Sequence, residues 1–151
     1  MLQTIMKPNL YSKAPDFDLP DQNGEKHTRD EYLGGWLLVY FYPKDNTPGC
    51  TKEACSFRDD FSRYKNKMRI VGISSDTVKS HNGFSSKYNL PFTLLSDENK
   101  RIIKSYGVNG TILPKRTSFL ISPSGYIAKI YNKVDPTIHS QEILRDINKV
   151  I

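Results

Sequence analysis

Apolar and polar positions along the chain change period several times, and each change predicts an element. "WLLVYFY", Trp36 to Tyr42, is a near-continuous apolar run rich in β-forming residues, which predicts a buried central strand that Pro43 ends. In "TKEACSFRDDFSRYKNK" the residues Ala54, Phe57, Phe61 and Tyr64 recur at helical spacing, which predicts one amphipathic helix. "RIVGISS" and "FTLLSD" read as two more buried strands. "TVKSHNGFSSKYNL" between them reads as a helix capped by Asp76 or Thr77 and weakened by Gly83. "DENKRIIKSYGV" predicts a helix with a capping residue and acidic first turn, ended by Gly107. "RTSFLIS", "PSG" and "YIAKIYN" form the clearest hairpin signal. "DPTIHSQEILRDINKVI" predicts a last helix with Ile143, Ile147 and Val150 on one face. Near the start, "APDFDLPDQNGEKHT" predicts a short extended piece, a turn at Asn23-Gly24 and a return strand.

Strands alternating with helices and closing in an antiparallel hairpin predict an α/β protein with a mixed sheet and helices on both faces. Functional sites in such sheets gather beyond the carboxyl ends of the strands. At 151 residues the chain is expected to form a single domain, residues 1–151.

Composition narrows the function class. With 37% hydrophobic and 25% charged residues, and no apolar run of spanning length, nothing predicts a membrane protein. The first residues lack a signal-peptide core and a small-residue cleavage site, so a cytoplasmic location is expected. Met6 is an alternative start to Met1. The net charge of +6 raises the question of nucleic acid, but the lysines and arginines are scattered and no RNA-binding signature occurs. The charge is read as solubility.

Two cysteines are too few for a disulfide scaffold, and a close pair in a reducing compartment points to catalysis, redox sensing or metal. Both lie in "YPKDNTPGCTKEAC". A helix starting near Pro48-Gly49 puts Cys50 in its first turn, where free N–H groups and the helix dipole favour the nucleophilic thiolate. Gly49 permits close approach to the sulfur, Thr47 offers a hydroxyl, and Pro43 offers an apolar wall.

Several chemistries remain open at this point. Zinc held by Cys50, Cys55 and His81 would be one ligand short of a structural site. His27, His81 and His139 are spread along the chain and are expected to be surface or capping residues. A Cys-His hydrolase lacks an evident orienting partner. A disulfide reductase would show two residues between its cysteines, where this chain has four. A redox-sensing binding module is the non-enzymatic alternative.

The stretch "FYPKDNTPGCTKEACSFRD" resembles the active site of the peroxiredoxins, whose pattern Pro-x-x-x-Thr-x-x-Cys falls on Pro43, Thr47 and Cys50. A second cysteine at Cys55 is similar to the subfamily called bacterioferritin comigratory protein, or peroxiredoxin Q. "APDFDLPDQNGE", "VGISSD", "LPFTLLSD", "YGV" and "RTSFLISPSG" follow in the family's order, so the resemblance covers nearly the whole chain.

The resemblance implies a thioredoxin-like fold with an N-terminal β-hairpin extension. It implies a peroxidase that needs neither metal nor haem and acts on hydrogen peroxide and organic hydroperoxides. By that likeness Cys50 is the peroxidatic cysteine, Thr47 hydrogen-bonds the peroxide, Pro43 shields it, and Arg116 enters from a later strand. Glu53 is a candidate to orient Arg116, or else an ordinary surface carboxylate. Cys55 would resolve the Cys50 sulfenic acid as an intramolecular disulfide, to be reduced by thioredoxin or a similar dithiol, in a monomer. On an ideal α-helix the Cα atoms of residues five apart lie roughly 8.7 Å from each other, beyond the ~7 Å a disulfide allows, so that helix must unwind. The stretch "NGTILPK" before Arg116 departs from the pattern: it is short and lacks the longer, often aromatic loop of many relatives.

Overall fold

A computed structural model describes residues 8–150; the choice between Met1 and Met6 lies outside them. Five strands form one mixed sheet in the order β5-β4-β3-β6-β7: Thr93–Ser96, Met68–Ser74, Trp36–Phe41, Thr117–Ile121 and Ile127–Tyr131. β3 runs parallel to β4, and β4 to β5, while β6 and β7 return antiparallel. The expected N-terminal hairpin is present as β1 (Asp18–Pro20) and β2 (Lys26–Thr28), turned at Gly24 with φ of +84°.

Strand β3 is apolar throughout because both of its faces are covered. Leu38, Tyr40 and Tyr42 point to one side, among Ala54 and Phe57 of α1 (Pro48–Asp59), Phe84 of α3 (Val78–Tyr88), and Ile143 and Ile147 of α5 (His139–Val150). Leu37, Val39 and Phe41 point to the other, among Ala14, Phe17, Phe119, and Ile103 of α4 (Arg101–Ser105). Register explains one glycine. Gly72 of β4 faces Tyr40 across the parallel ladder, and a Cβ there would sit 2.7 Å from the Tyr40 ring.

Four details differ from the sequence reading. The long amphipathic helix breaks at Asp60, where α1 gives way to the one-turn α2 (Phe61–Tyr64). Asp60 there accepts a hydrogen bond from the Ser140 hydroxyl at 2.7 Å, a tertiary contact with no local signal. Helix α4 starts at Arg101, so the acidic Asp97 and Glu98 precede it and do not form its first turn. Asp97 instead accepts from the Ile103 N–H at 2.8 Å, satisfying a free donor of that helix. Val150 is exposed at the end of α5, past the reach of the core. His81 and His139 are completely buried, contrary to a surface or capping role, whereas His27 bridges Asp21 and Glu31 nearer the surface. Thr77 is the cap of α3, accepting from the Ser80 N–H.

No helix among the described residues is long and apolar enough to cross a membrane.

Candidate active site

Strand β3 ends at Phe41 and the chain turns through residues 42–47 into α1. Thr47 is the N-cap residue in extended conformation and Pro48 is the first helical residue, a position where its missing N–H costs nothing. Cys50 is therefore the third residue of α1, in the first turn as expected, and it is 1% exposed. Pro43 is half-buried at the start of the loop. The Thr47 hydroxyl donates to the Lys44 carbonyl at 2.7 Å, which leaves its lone pairs free to accept.

Because β6 is antiparallel to β3, Thr117 lies opposite Phe41 and the residue before it arrives at the same sheet edge as Cys50. That residue is Arg116. Its Nη2 donates to Cys50 Sγ at 3.3 Å and its Nη1 to Glu53 Oε1 at 2.8 Å. One planar fork thus spans the sulfur and a carboxylate one helical turn further on, a geometry an ammonium cannot reproduce.

Glu53 is 1% exposed, so it is not the surface carboxylate that remained open from sequence. Burial pushes its carboxyl up to about 7, against the lowering pull of Arg116. Its second oxygen, Oε2, is buried with no hydrogen-bond partner, which fits a carboxylate only half satisfied by its cation. Burial lowers Arg116, but Glu53 and Cys50 outweigh it and hold the guanidinium above its ordinary value.

Gly49 has a reason in this arrangement. A Cβ on it would lie 3.0 Å from Arg116 Nη2, so the close approach it permits is that of the guanidinium.

Cys55 sits half-buried on the same helix, and both cysteines are free. Burial raises the Cys55 thiol, with Asp59 adding to that effect and Arg58 opposing it. The segment between Cys50 and Cys55 is unbroken helix. Beyond it α1 is tied down repeatedly: Tyr64 Oη donates to the Phe57 carbonyl at 2.8 Å, Arg58 to the Tyr88 carbonyl at 2.8 Å, and Ser140 to Asp60.

The zinc trio does not assemble. His81 Nε2 lies 3.0 Å from the Leu95 carbonyl and its Nδ1 lies 2.7 Å from Asp45. Among the described residues the potential ligand atoms that gather within 4.8 Å belong to Asp45, Asp76 and His81, without a cysteine.

The short stretch 109–115 turns through a Gly110 N–H to Leu113 carbonyl bond at 3.1 Å and leaves Ile112 and Leu113 exposed. It precedes Arg116 at the edge of the sheet where Cys50 lies.

A buried cysteine in a helix's first turn, with a guanidinium on its sulfur at the end of a mixed sheet, defines a thiol-based redox site on a thioredoxin-like frame. The AhpC/TSA family model matches residues 10–130, and the chain belongs to that family. Within it the likeness is to the peroxiredoxins of the Q and bacterioferritin-comigratory kind. The chain is 44% identical over 151 residues to peroxiredoxin bcp of Coxiella burnetii, covering 92% of this chain and 98% of that protein. It is also 44% identical over 144 residues to the chloroplastic peroxiredoxin Q of Arabidopsis thaliana, covering 92% of this chain and 67% of that one. Among solved structures, PrxQ of Xylella fastidiosa superposes with a TM-score of 0.90 at 29% identity, over 96% of this chain and 98% of that chain. The bacterioferritin comigratory protein of Xanthomonas campestris, described for its alkyl peroxide reduction, gives 0.85 at 31% identity, over 89% and 91% of the two chains. The protein is a thiol-dependent peroxidase, an oxidoreductase.

Two features escaped the sequence reading, whereas Glu53, left open between two alternatives, proves to be the partner of Arg116. His81 shares one face of α3 with Phe84, Ser85 and Tyr88, at spacings of three, four and seven. That periodicity was the available signal for a buried histidine. Asp45, 1% exposed by side chain, carried no signal beyond its place in the loop.

Proposed function

We propose that Cys50 is the peroxidatic cysteine and that Cys55 resolves it within the same chain. The Cys50 thiolate attacks one oxygen of the peroxide, the O–O bond breaks, and the leaving hydroxide or alkoxide takes a proton to depart as water or alcohol. Cys50 is left as a sulfenic acid. The observation that carries this reading is the 3.3 Å contact from Arg116 Nη2 to Cys50 Sγ. A fixed cationic donor at the sulfur is placed to stabilise charge that moves onto the leaving oxygen, where such donors lower barriers most. Thr47 accepts a hydrogen bond from the peroxide O–H through its free lone pairs, and Pro43 walls the site from bulk water.

Cys55 then attacks the sulfenic sulfur, expelling water and forming the Cys50–Cys55 disulfide, once the helix between them has opened. A thioredoxin-like dithiol returns both cysteines to thiols and leaves as its own disulfide. Support for Cys55 comes from its half-exposed place on the helix and from the moorings at Phe57, Arg58 and Asp60 that confine unwinding to the turns holding the pair. Organic hydroperoxides join hydrogen peroxide as substrates, since exposed Ile112 and Leu113 lie on the stretch leading to Arg116 and the Xanthomonas relative is described for alkyl peroxides. The activity is carried by a single-domain monomer in the cytoplasm.

Peroxide consumption with a thioredoxin as electron donor tests the core of this. Cys50→Ser abolishes turnover, and turnover at the wild-type rate would overturn the assignment.

A further inference from the structure

The loop that delivers Thr47 and the first turn of α1 is held from beneath by one buried aspartate. Asp45 is 1% exposed by side chain; its Oδ1 accepts from the Tyr42 hydroxyl at 2.6 Å and its Oδ2 from the Ser80 hydroxyl at 2.8 Å. The same Oδ2 lies 2.7 Å from His81 Nδ1. The Asp45 N–H donates to Asp76 Oδ2 at 2.9 Å, and that oxygen also accepts from the Ser74 hydroxyl at 2.6 Å. His81 is fully buried on α3 and its Nε2 faces the Leu95 carbonyl of β5 at 3.0 Å. The ends of β3, β4 and β5 therefore meet around a single imidazole ring.

A carbonyl can only accept, so Nε2 donates to Leu95. Nδ1 lies 2.7 Å from Asp45 Oδ2 and 3.3 Å from the Tyr42 hydroxyl, so the ring is held from both sides. A cation held by Asp45, Asp76 and His81 would have to displace these bonds, since both ring nitrogens and both Asp45 oxygens are already engaged.

We propose that His81 is a positioning residue for peroxide reduction. By fixing Asp45 it sets the loop from Pro43 to Thr47, so that the groups receiving the peroxide stand in register with Cys50. His81 touches no reacting atom and acts through Asp45. This rests on the reading of Cys50 as the peroxidatic cysteine.

Two reactions of the same reduced cysteine separate positioning from mere structural support. Oxidation by hydrogen peroxide needs the organised loop, whereas alkylation of Cys50 by iodoacetamide needs only an accessible thiolate. His81→Phe keeps a ring but removes both donors. It slows peroxide oxidation by at least about tenfold, since small misplacement of a reacting group costs up to about a hundredfold. Alkylation changes by less than about threefold, within the modest scale of an unrelated contact. Should His81→Phe fail to fold, His81→Asn decides the matter. It keeps a donor toward Asp45 but does not reach Leu95, and it shows a selective loss of several-fold in the peroxide reaction alone. Equal losses in both reactions, or an unchanged peroxide rate in a folded His81 variant, would overturn the proposal. Activity lost on chelation and restored by a divalent cation would overturn it as well. An active Cys50→Ser would instead defeat the reading beneath it, whatever the His81 variants do.

Discussion

The guanidinium of Arg116 occupies the space that a side chain on Gly49 would need: a Cβ there would stand 3.0 Å from Nη2. Glycine at 49 is thus a condition for the cation's reach to the sulfur. Gly49→Ala is expected to fold, because the neighbour that must yield is a side chain. It is expected to slow Cys50 oxidation by roughly three- to tenfold, less than outright loss of a donor at about 10²-fold or more. Stopped-flow fluorescence of the reduced protein mixed with hydrogen peroxide reads the rate, and an unchanged rate would show that Arg116 tolerates displacement.

Arg116 itself is expected to matter more. Arg116→Met slows the same step by at least roughly tenfold, since removing a transition-state donor costs a few kcal/mol. Arg116→Lys is also impaired, because one ammonium cannot serve both Cys50 and Glu53 in a planar fork. Wild-type rate constants in both variants would remove Arg116 from the chemistry.

Glu53 predicts opposite pH trends for stability and activity. Its carboxyl is raised from 4.5 to about 7, chiefly by burial, so the folded state binds more protons than the unfolded state between those values. Its contribution to stability is therefore fully present below the unfolded value and is lost as pH rises through about 7. The ionised form is the one that pairs with Arg116, so Cys50 oxidation gains from Glu53 as pH rises through the same window. Glu53→Gln should flatten the stability loss, seen in urea midpoints across pH, and should weaken the corresponding limb of the oxidation rate. If both profiles match wild type, Glu53 does not titrate there.

The resolving step predicts a redox-dependent helix. In the oxidised protein, peptide mass mapping shows a Cys50–Cys55 disulfide. Amides from about residue 50 to 56 exchange faster than in the reduced form, as local unfolding requires. Protection at 58 to 60 changes little, because Arg58 and Asp60 are tied to Tyr88 and Ser140. Cys55→Ser reduces one equivalent of peroxide and then stalls or over-oxidises without added thiol. Equal protection of residues 50 to 56 in both redox states would sink this mechanism.

Local pattern made the strands, the final hairpin and the first turn of α1 legible, because each depends on period, turn residues and a proline at its place. Likeness to a family, and not local pattern, brought together Cys50 and Arg116, 66 positions apart. The break at Asp60 was invisible, since the contact made there is to a hydroxyl from α5. The histidines were misjudged for a related reason. A buried imidazole requires partners, and those of His81 come from a loop 36 residues earlier and a strand 14 residues later. Ser118 plays the same part for His139 at 2.7 Å. Tertiary hydrogen bonds decide such residues, and sequence pattern records only that the position faces inward.

The uneven fastening of α1 has a consequence for turnover. Its first two turns carry the cysteines, while the end at Phe57, Arg58 and Asp60 stays moored. On the proposed mechanism, a reductant that opened a Cys50–Cys55 disulfide would leave the moored end as a template on which the released turns rewind. Rewinding would carry Cys55 away from that partner and erase the shape the partner recognised. Helix formation would then act as an eject stroke, clearing the protein for the next peroxide.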